Sequence, residues 1–202
     1  MKVYAVAVGR EPGIYKTWAQ AKKQVEGFKG AKYKGFSTEE EARTFLLENC
    51  PSEVYDYEPQ DKDFYGSYLK TSKDCVAFVD GSSVDNKTSS GVVFMFGRAT
   101  TSSNNTKYRN VAGELNAALS AIDLAIKSGF ETITIFYDYE GIEKWATGEW
   151  QCKNDLSKKY KSIMDIYNTK IQINYIHVKG HSGVAGNELA DEVAGHSLNM
   201  KE

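Results

Sequence analysis

Cysteine, histidine and proline are scarce in this 202-residue chain, with three of each, and each scarcity removes a class of explanation. Cys50, Cys75 and Cys152 are odd in number and far apart, with no Cys-x-x-Cys pair, so neither a disulfide framework nor a thiolate zinc site is indicated. A reducing cytosol is the expected surrounding. No apolar run approaches the length of a membrane span, and Val3–Val8 is too short for a signal-peptide core, so no membrane partner is expected. A dominant charge is missing too, since 25 basic against 27 acidic residues leave −2. The distribution is uneven, however. Residues 1–47 carry nine basic and five acidic side chains, net +4, whereas 48–74 carry three and seven, net −4, and 75–202 carry 13 and 15.

With 41% hydrophobic and 12% aromatic residues, the chain can bury a core and is not globally disordered. One stretch organises it. Val76-Ala77-Phe78-Val79-Asp80-Gly81-Ser82 reads as a buried strand closed by a carboxylate and a glycine, at which a turn is expected. Ile133-Thr134-Ile135-Phe136-Tyr137-Asp138 repeats the device. If the two strands are parallel neighbours, their ends lie about 4.8 Å apart. Like charges so placed raise each other's pKa, and a divalent cation between them relieves the conflict and supplies chemistry.

Residues 1–47 read as a compact β-rich unit. Val3–Val8 is a strand, Arg10–Gly13 a turn and Ile14-Tyr15 a short return. Thr17 caps a helix through Trp18, Ala21, Val25 and Phe28, and Thr38 precedes an acidic first helical turn, Glu39-Glu40-Glu41. Residues 48–74 have a linker's composition, with Pro51, Pro59, Gly66 and many acids, and predict a mobile tether. Its aromatics Tyr55, Tyr57, Phe64, Tyr65 and Tyr68 are unusual for a tether and could dock on a neighbouring domain.

Residues 75–202 alternate strands and helices as an α/β domain should. A second strand is read at Gly91–Phe96, a turn at Thr100–Asn105, and a third strand at Thr106–Asn110. Glu114 is read as opening a helix with the apolar stripe Leu115, Ala118, Leu119, Ile122, Ala125 and Ile126, ended by Gly129. Helices follow near 139–147 and 155–168, then a strand over 171–178, the loop Lys179–Gly183, and a closing helix with Asn187 at its cap. Any one of 27 acids is usually a solvated surface charge. Asp80, Glu114, Asp138 and Asp191, each at or inside an element with apolar flanks, form a set of oxygen ligands suited to magnesium or manganese rather than zinc.

Two halves of the chain resemble a known family. Val3-Tyr4-Ala5-Val6, Gly13-Ile14-Tyr15-Lys16-Thr17-Trp18 and Ala31–Ala42 resemble the amino-terminal hybrid-binding domain of type 1 ribonucleases H. Asp80-Gly81-Ser82, Gly113-Glu114-Leu115, Tyr137-Asp138-Tyr139, Val178–Gly183 and Asn187–Asp191 resemble the catalytic domain of the same family. The resemblance implies an α/β fold, a five-stranded mixed sheet flanked by helices, carrying a small amino-terminal α+β domain. The implied boundaries are 1–47 for hybrid binding, 48–74 for the linker and 75–202 for catalysis.

It also implies a function: endonucleolytic hydrolysis of the RNA strand of RNA/DNA hybrids, leaving 3′-hydroxyl and 5′-phosphate ends, by a protein expected to be a monomer. Asp80, Glu114, Asp138 and Asp191 would hold two Mg2+ ions, with Mn2+ as a substitute. His181 would take part in proton transfer or product release, and Glu188 would attract or reposition a metal, or simply cap a helix. Tyr4, Trp18, Tyr33 and Lys34 would touch nucleic acid, though Trp18 and Tyr33 read equally well as core aromatics of a tiny domain. Asn86 and Asn110 would read sugars, though both read equally as turn residues, the plainer explanation for Asn86. Glu140 stands where relatives usually carry an uncharged polar residue, and Trp145–Leu156 lacks the basic protrusion some relatives have, so grip would fall to residues 1–47. The competing readings are a DNA-acting nuclease of the same superfold and a hybrid-binding protein without activity.

Overall fold

The computed structural model describes residues 2–49, 53–56, 66–85, 87–94, 98–105 and 107–199. Its first strand, β1 (Val3–Val8), pairs antiparallel with β2 (Gly13–Tyr15) on one side and β3 (Lys32–Phe36) on the other. Alternation along β1 serves two helices. Val6 faces α1 (Trp18–Val25) and meets Ala21 and Val25, while Val3, Ala5 and Ala7 face α2 (Glu39–Glu48) and meet Ala42 and Leu46. Both helices begin at a capping box, Thr17 with Gln20 and Thr38 with Glu41, which satisfies amide groups that have no partner inside the helix. Helix α1 stops at Val25, before Phe28, which is exposed.

The larger sheet has the order β4-β7-β6-β5-β8-β9. Five strands, β5 (Asp74–Val84), β6 (Lys87–Phe94), β7 (Arg98–Asn105), β8 (Thr132–Tyr137) and β9 (Gln172–His177), match the expected mixed sheet. The sixth, β4 (Glu53–Asp56), comes from the acidic 48–74 stretch and pairs antiparallel with β7 as an edge strand. Tyr68 from the same stretch is packed edge-on against Phe136 at 5.3 Å. Tyr57, Phe64, Tyr65 and Asn86 lie outside the described residues.

On one face of the sheet sit α3 (Arg109–Lys127), α4 (Gly141–Thr147) and α5 (Asp155–Tyr167); on the other sits α6 (Ala185–Asn199). Two expectations shift here. The Thr/Ser-rich 100–105 segment is strand, because β6 supplies ladder partners along all of it and β4 adds a second ladder at Thr100 and Thr101. Within the predicted strand over 106–110, residues 109 and 110 open α3. Helix α3 therefore starts five residues before Glu114, and Asn187 lies inside α6 rather than at its cap.

Small residues on β6 let helices close in from both sides. A Cβ on Gly91 would fall 2.0 Å from the Ala190 carbonyl of α6, and Ser90 Oγ donates to the Gly113 carbonyl of α3 at 2.9 Å. This closeness fixes where the carboxylates of α3 and α6 can stand.

Candidate active site and nucleic-acid face

Parallel pairing of β5 with β8 runs in register from Asp74 opposite Thr132 to Phe78 opposite Phe136. Two residues further along each strand stand Asp80 and Asp138. The chain does not turn at Gly81, as its sequence suggested. Instead β5 continues to Val84 in an antiparallel ladder with β6. Gly81 serves the crossing of α3: a Cβ there would lie 2.2 Å from the Glu114 amide nitrogen, and one on Gly113 would lie 2.9 Å from the Gly81 Cα. Two glycines back to back thus bring Glu114 down beside Asp80.

Asp80, Glu114 and Asp138 each present a carboxylate oxygen, and these oxygens all lie within 4.8 Å of one another. Asp191, on α6, stands outside that triad, although its charge still reaches Asp80. Asp80 and Glu114 are buried and hydrogen-bonded to each other. Burial, reinforced by the charge of Asp138, pushes the Asp80 carboxyl up to about 6 despite the bond from Glu114 and the Gly81 N–H. Burial and the Asp80 charge hold Glu114 well above the usual carboxylate range. One Glu114 oxygen, Oε2, is buried with no hydrogen-bond partner. Three converging carboxylates, one with an orphaned oxygen, are what a hard divalent cation would satisfy.

The surrounding loops attend to Asp138. His177 Nε2 contacts its carbonyl oxygen at 3.0 Å, and a Cβ on Gly180 would lie 2.7 Å from its Oδ2, so glycine lets the 179–183 loop pass without displacing that oxygen. His181 is exposed in that loop with φ 51°, a left-handed conformation. Glu188 accepts the Gly183 N–H at 2.9 Å, tying the loop to α6. Glu140 is turned toward Lys144, 3.2 Å away, and Lys144 also pairs with Glu149 at 3.5 Å, so the charge at position 140 is matched within α4 and its flank. Asn110 accepts a hydrogen bond from Ser83.

On the small domain, Trp18 stacks between two tyrosines, 5.6 Å from Tyr4 and 5.5 Å from Tyr33. Trp18 is 41% and Tyr33 47% exposed, so these rings are a surface rather than a core. Lys34 is not brought to this row. It points to the other face of β3, its ammonium 5.4 Å from the Phe36 ring. Lys2 takes a place beside the row instead, 5.7 Å over Tyr4, in space left open by Gly35. Its spacing two residues before Tyr4, just ahead of β1, was the signal in the sequence.

Comparison with known proteins follows this geometry. The family model described as ribonuclease H1 N-terminal domain matches residues 2–46, and the RNase H model matches residues 72–199. Human ribonuclease H1 is 25% identical, the alignment covering 98% of this chain and 90% of the human protein. A ribonuclease H of Schizosaccharomyces pombe is 28% identical, with 95% of both chains covered. Among solved structures, RNase H1 from the archaeon Halobacterium salinarum superposes with a TM-score of 0.52 at 24% identity, over 62% of this chain and 97% of that one.

Proposed function

The chain belongs to the ribonuclease H family, and from that premise we propose that it hydrolyses the RNA strand of RNA/DNA hybrids, with Asp80, Glu114, Asp138 and Asp191 as the catalytic carboxylates. The single observation that carries the residue assignment is the convergence of Asp80, Glu114 and Asp138 within 4.8 Å, from two neighbouring strands and a helix. Two magnesium ions, with manganese as a substitute, are the proposed cofactors, held by these three side chains and by Asp191. When bound, such ions lower the pKa of an attacking water and stabilise the leaving oxygen, giving 3′-hydroxyl and 5′-phosphate ends.

The protein's own part is positional. Asp80 is fixed by its pairing with Gly91 of β6, Asp138 by following the end of β8, Glu114 by the glycine crossing, and Asp191 by α6. Glu188 holds the loop on which His181 stands, and His181 is proposed to move a proton or help product leave. Tyr4, Trp18 and Tyr33, with Lys2 beside them, offer stacking faces and a phosphate-seeking charge to the hybrid. Asn110 is proposed to meet the minor-groove 2′-hydroxyls that distinguish RNA from DNA. The functional division at 1–47, 48–74 and 75–202, a monomeric state and a reducing cytosol complete the proposal.

The deciding assay uses labelled RNA/DNA hybrid, duplex RNA and duplex DNA, each with magnesium or chelator, for the unaltered chain and Asp138→Asn. Magnesium-dependent cutting of the hybrid's RNA strand alone, lost in Asp138→Asn while binding persists, is expected. Cutting of duplex DNA would assign a DNA-acting nuclease, and binding with no cutting by the unaltered chain would assign a hybrid-binding protein.

A further inference from the structure

Arg43 joins the two halves of the chain. It lies on α2 of the small domain, yet is only 6% exposed, and its partners are 29 to 86 residues away in sequence except for Glu39. What it meets is the end of α3. The last carbonyls of a helix lack intrahelical donors. Here Gly129, at φ 78°, turns the chain so that its own N–H reaches Ile126 O at 3.0 Å and the Phe130 N–H reaches Ala125 O at 3.0 Å. That turn leaves the carbonyls of Ser128 and Gly129 for another donor.

Arg43 supplies it. Its Nε donates to Ser128 O at 3.1 Å, one terminal nitrogen to Gly129 O at 3.1 Å and to Glu39 Oε2 at 3.0 Å, and the other to Ser72 O at 3.3 Å. The guanidinium carbon lies 5.4 Å from the Phe130 ring centre. A cation at the negative end of a 19-residue helix is electrostatically favoured, and the planar fork matches several fixed acceptors as a lysine could not. Strand β2 seats beside it: a Cβ on Gly129 would be 3.6 Å from Ile14 Cδ1.

This contact uses the α2 side of the small sheet, whereas Tyr4, Trp18 and Tyr33 line the α1 side. Docking therefore leaves the aromatic row free. It also acts at the far end of the helix that carries Glu114, 14 residues away or about 21 Å at the helical rise.

We propose that Arg43 fastens the small domain to the end of α3, so that the aromatic row and the carboxylates move as one rigid body and cleavage falls at a set distance from the gripped stretch of hybrid. The docking stands on geometry alone, and its consequence for the cut position rests on the hybrid-cleaving function proposed above. Nitrogen-15 relaxation on the full chain tests the first part. A single rotational correlation time for both domains is expected, replaced by two in Arg43→Ala and in Arg43→Lys, with far-UV circular dichroism unchanged. Should Arg43→Ala not fold, Arg43→Lys decides. An end-labelled long hybrid tests the second part: the dominant cut bands of the unaltered chain should be lost in the variants, while total cleavage of a hybrid too short to span both sites is retained.

Independent tumbling of the domains in the unaltered chain would overturn the docking, and common tumbling retained in both variants would overturn the part given to Arg43. An unchanged band pattern despite uncoupled tumbling would overturn the fixed distance. If the unaltered chain cuts no hybrid at all, the functional reading fails while the relaxation data still decide the docking.

Discussion

A carboxyl shielded from water and set among others resists ionisation, and Asp80 shows how far this goes. Its pKa is about 6 in the fold against an ordinary 3.8. Because the folded value is the higher one, the protonated side chain is favoured in the native state. The stability this gives is complete below about pH 4 and lost as pH rises through about 6. In chelator, the unaltered chain should therefore show a melting temperature that falls relative to Asp80→Asn between pH 4 and pH 7. Asp80→Asn should melt several degrees higher at pH 7.5 and cleave nothing, as calorimetry and the hybrid assay would show. A difference that grows in the opposite direction would contradict the burial argument. Gly81 tests the neighbouring constraint by volume rather than charge. Gly81→Ala must push the Glu114 backbone away from a 2.2 Å contact, so a loss of about 3 kcal/mol or more in denaturant unfolding, with activity lost in parallel, is expected.

At the scale of elements, the 179–183 loop depends on a short link to α6. Glu188 was read from sequence as a metal-directed acid or a helix cap, and the structure shows its oxygen on the Gly183 N–H. Glu188→Gln keeps an acceptor there and should retain most activity. Glu188→Ala removes it and should lower turnover roughly tenfold, with broadened amide signals across 180–183. Equal losses in the two variants would point to the charge itself. The same loop shows what sequence could and could not deliver. Gly180 and His181 were legible as part of a loop, but the close approach of Gly180 to Asp138 comes from β9 returning beside β8. The parallel β5–β8 pairing was legible because each strand carries an apolar run that leads to an aspartate. Strand β7 was not, since its Thr/Ser-rich composition looks like a turn until partners on either side engage its backbone.

For the whole molecule, the function proposed above puts grip and cutting in separate domains, and kinetics can resolve them. Trp18→Ala should weaken hybrid affinity about tenfold by removing the central ring of the stack, measured by anisotropy in chelator, with turnover at saturating hybrid unchanged. A fall in saturated turnover as large as the fall in affinity would contradict that separation. The basic excess of residues 1–47 is the sequence feature behind assigning the grip to that domain. Nothing in the sequence announced Arg43, whose only local sign was an ordinary pairing with Glu39 one helical turn earlier. Its other acceptors are backbone carbonyls, which carry no residue identity, and they are created by the way α3 ends at Gly129.

That ending bears on transplantation as much as on motion. A module that can be cut out and grafted elsewhere must hide its own polar groups, and here the socket belongs to one module while the plug belongs to the other. Transplanting residues 1–47 onto a foreign nuclease would deliver the plug without its socket, leaving Arg43 without the carbonyls of Ser128, Gly129 and Ser72 that it meets here.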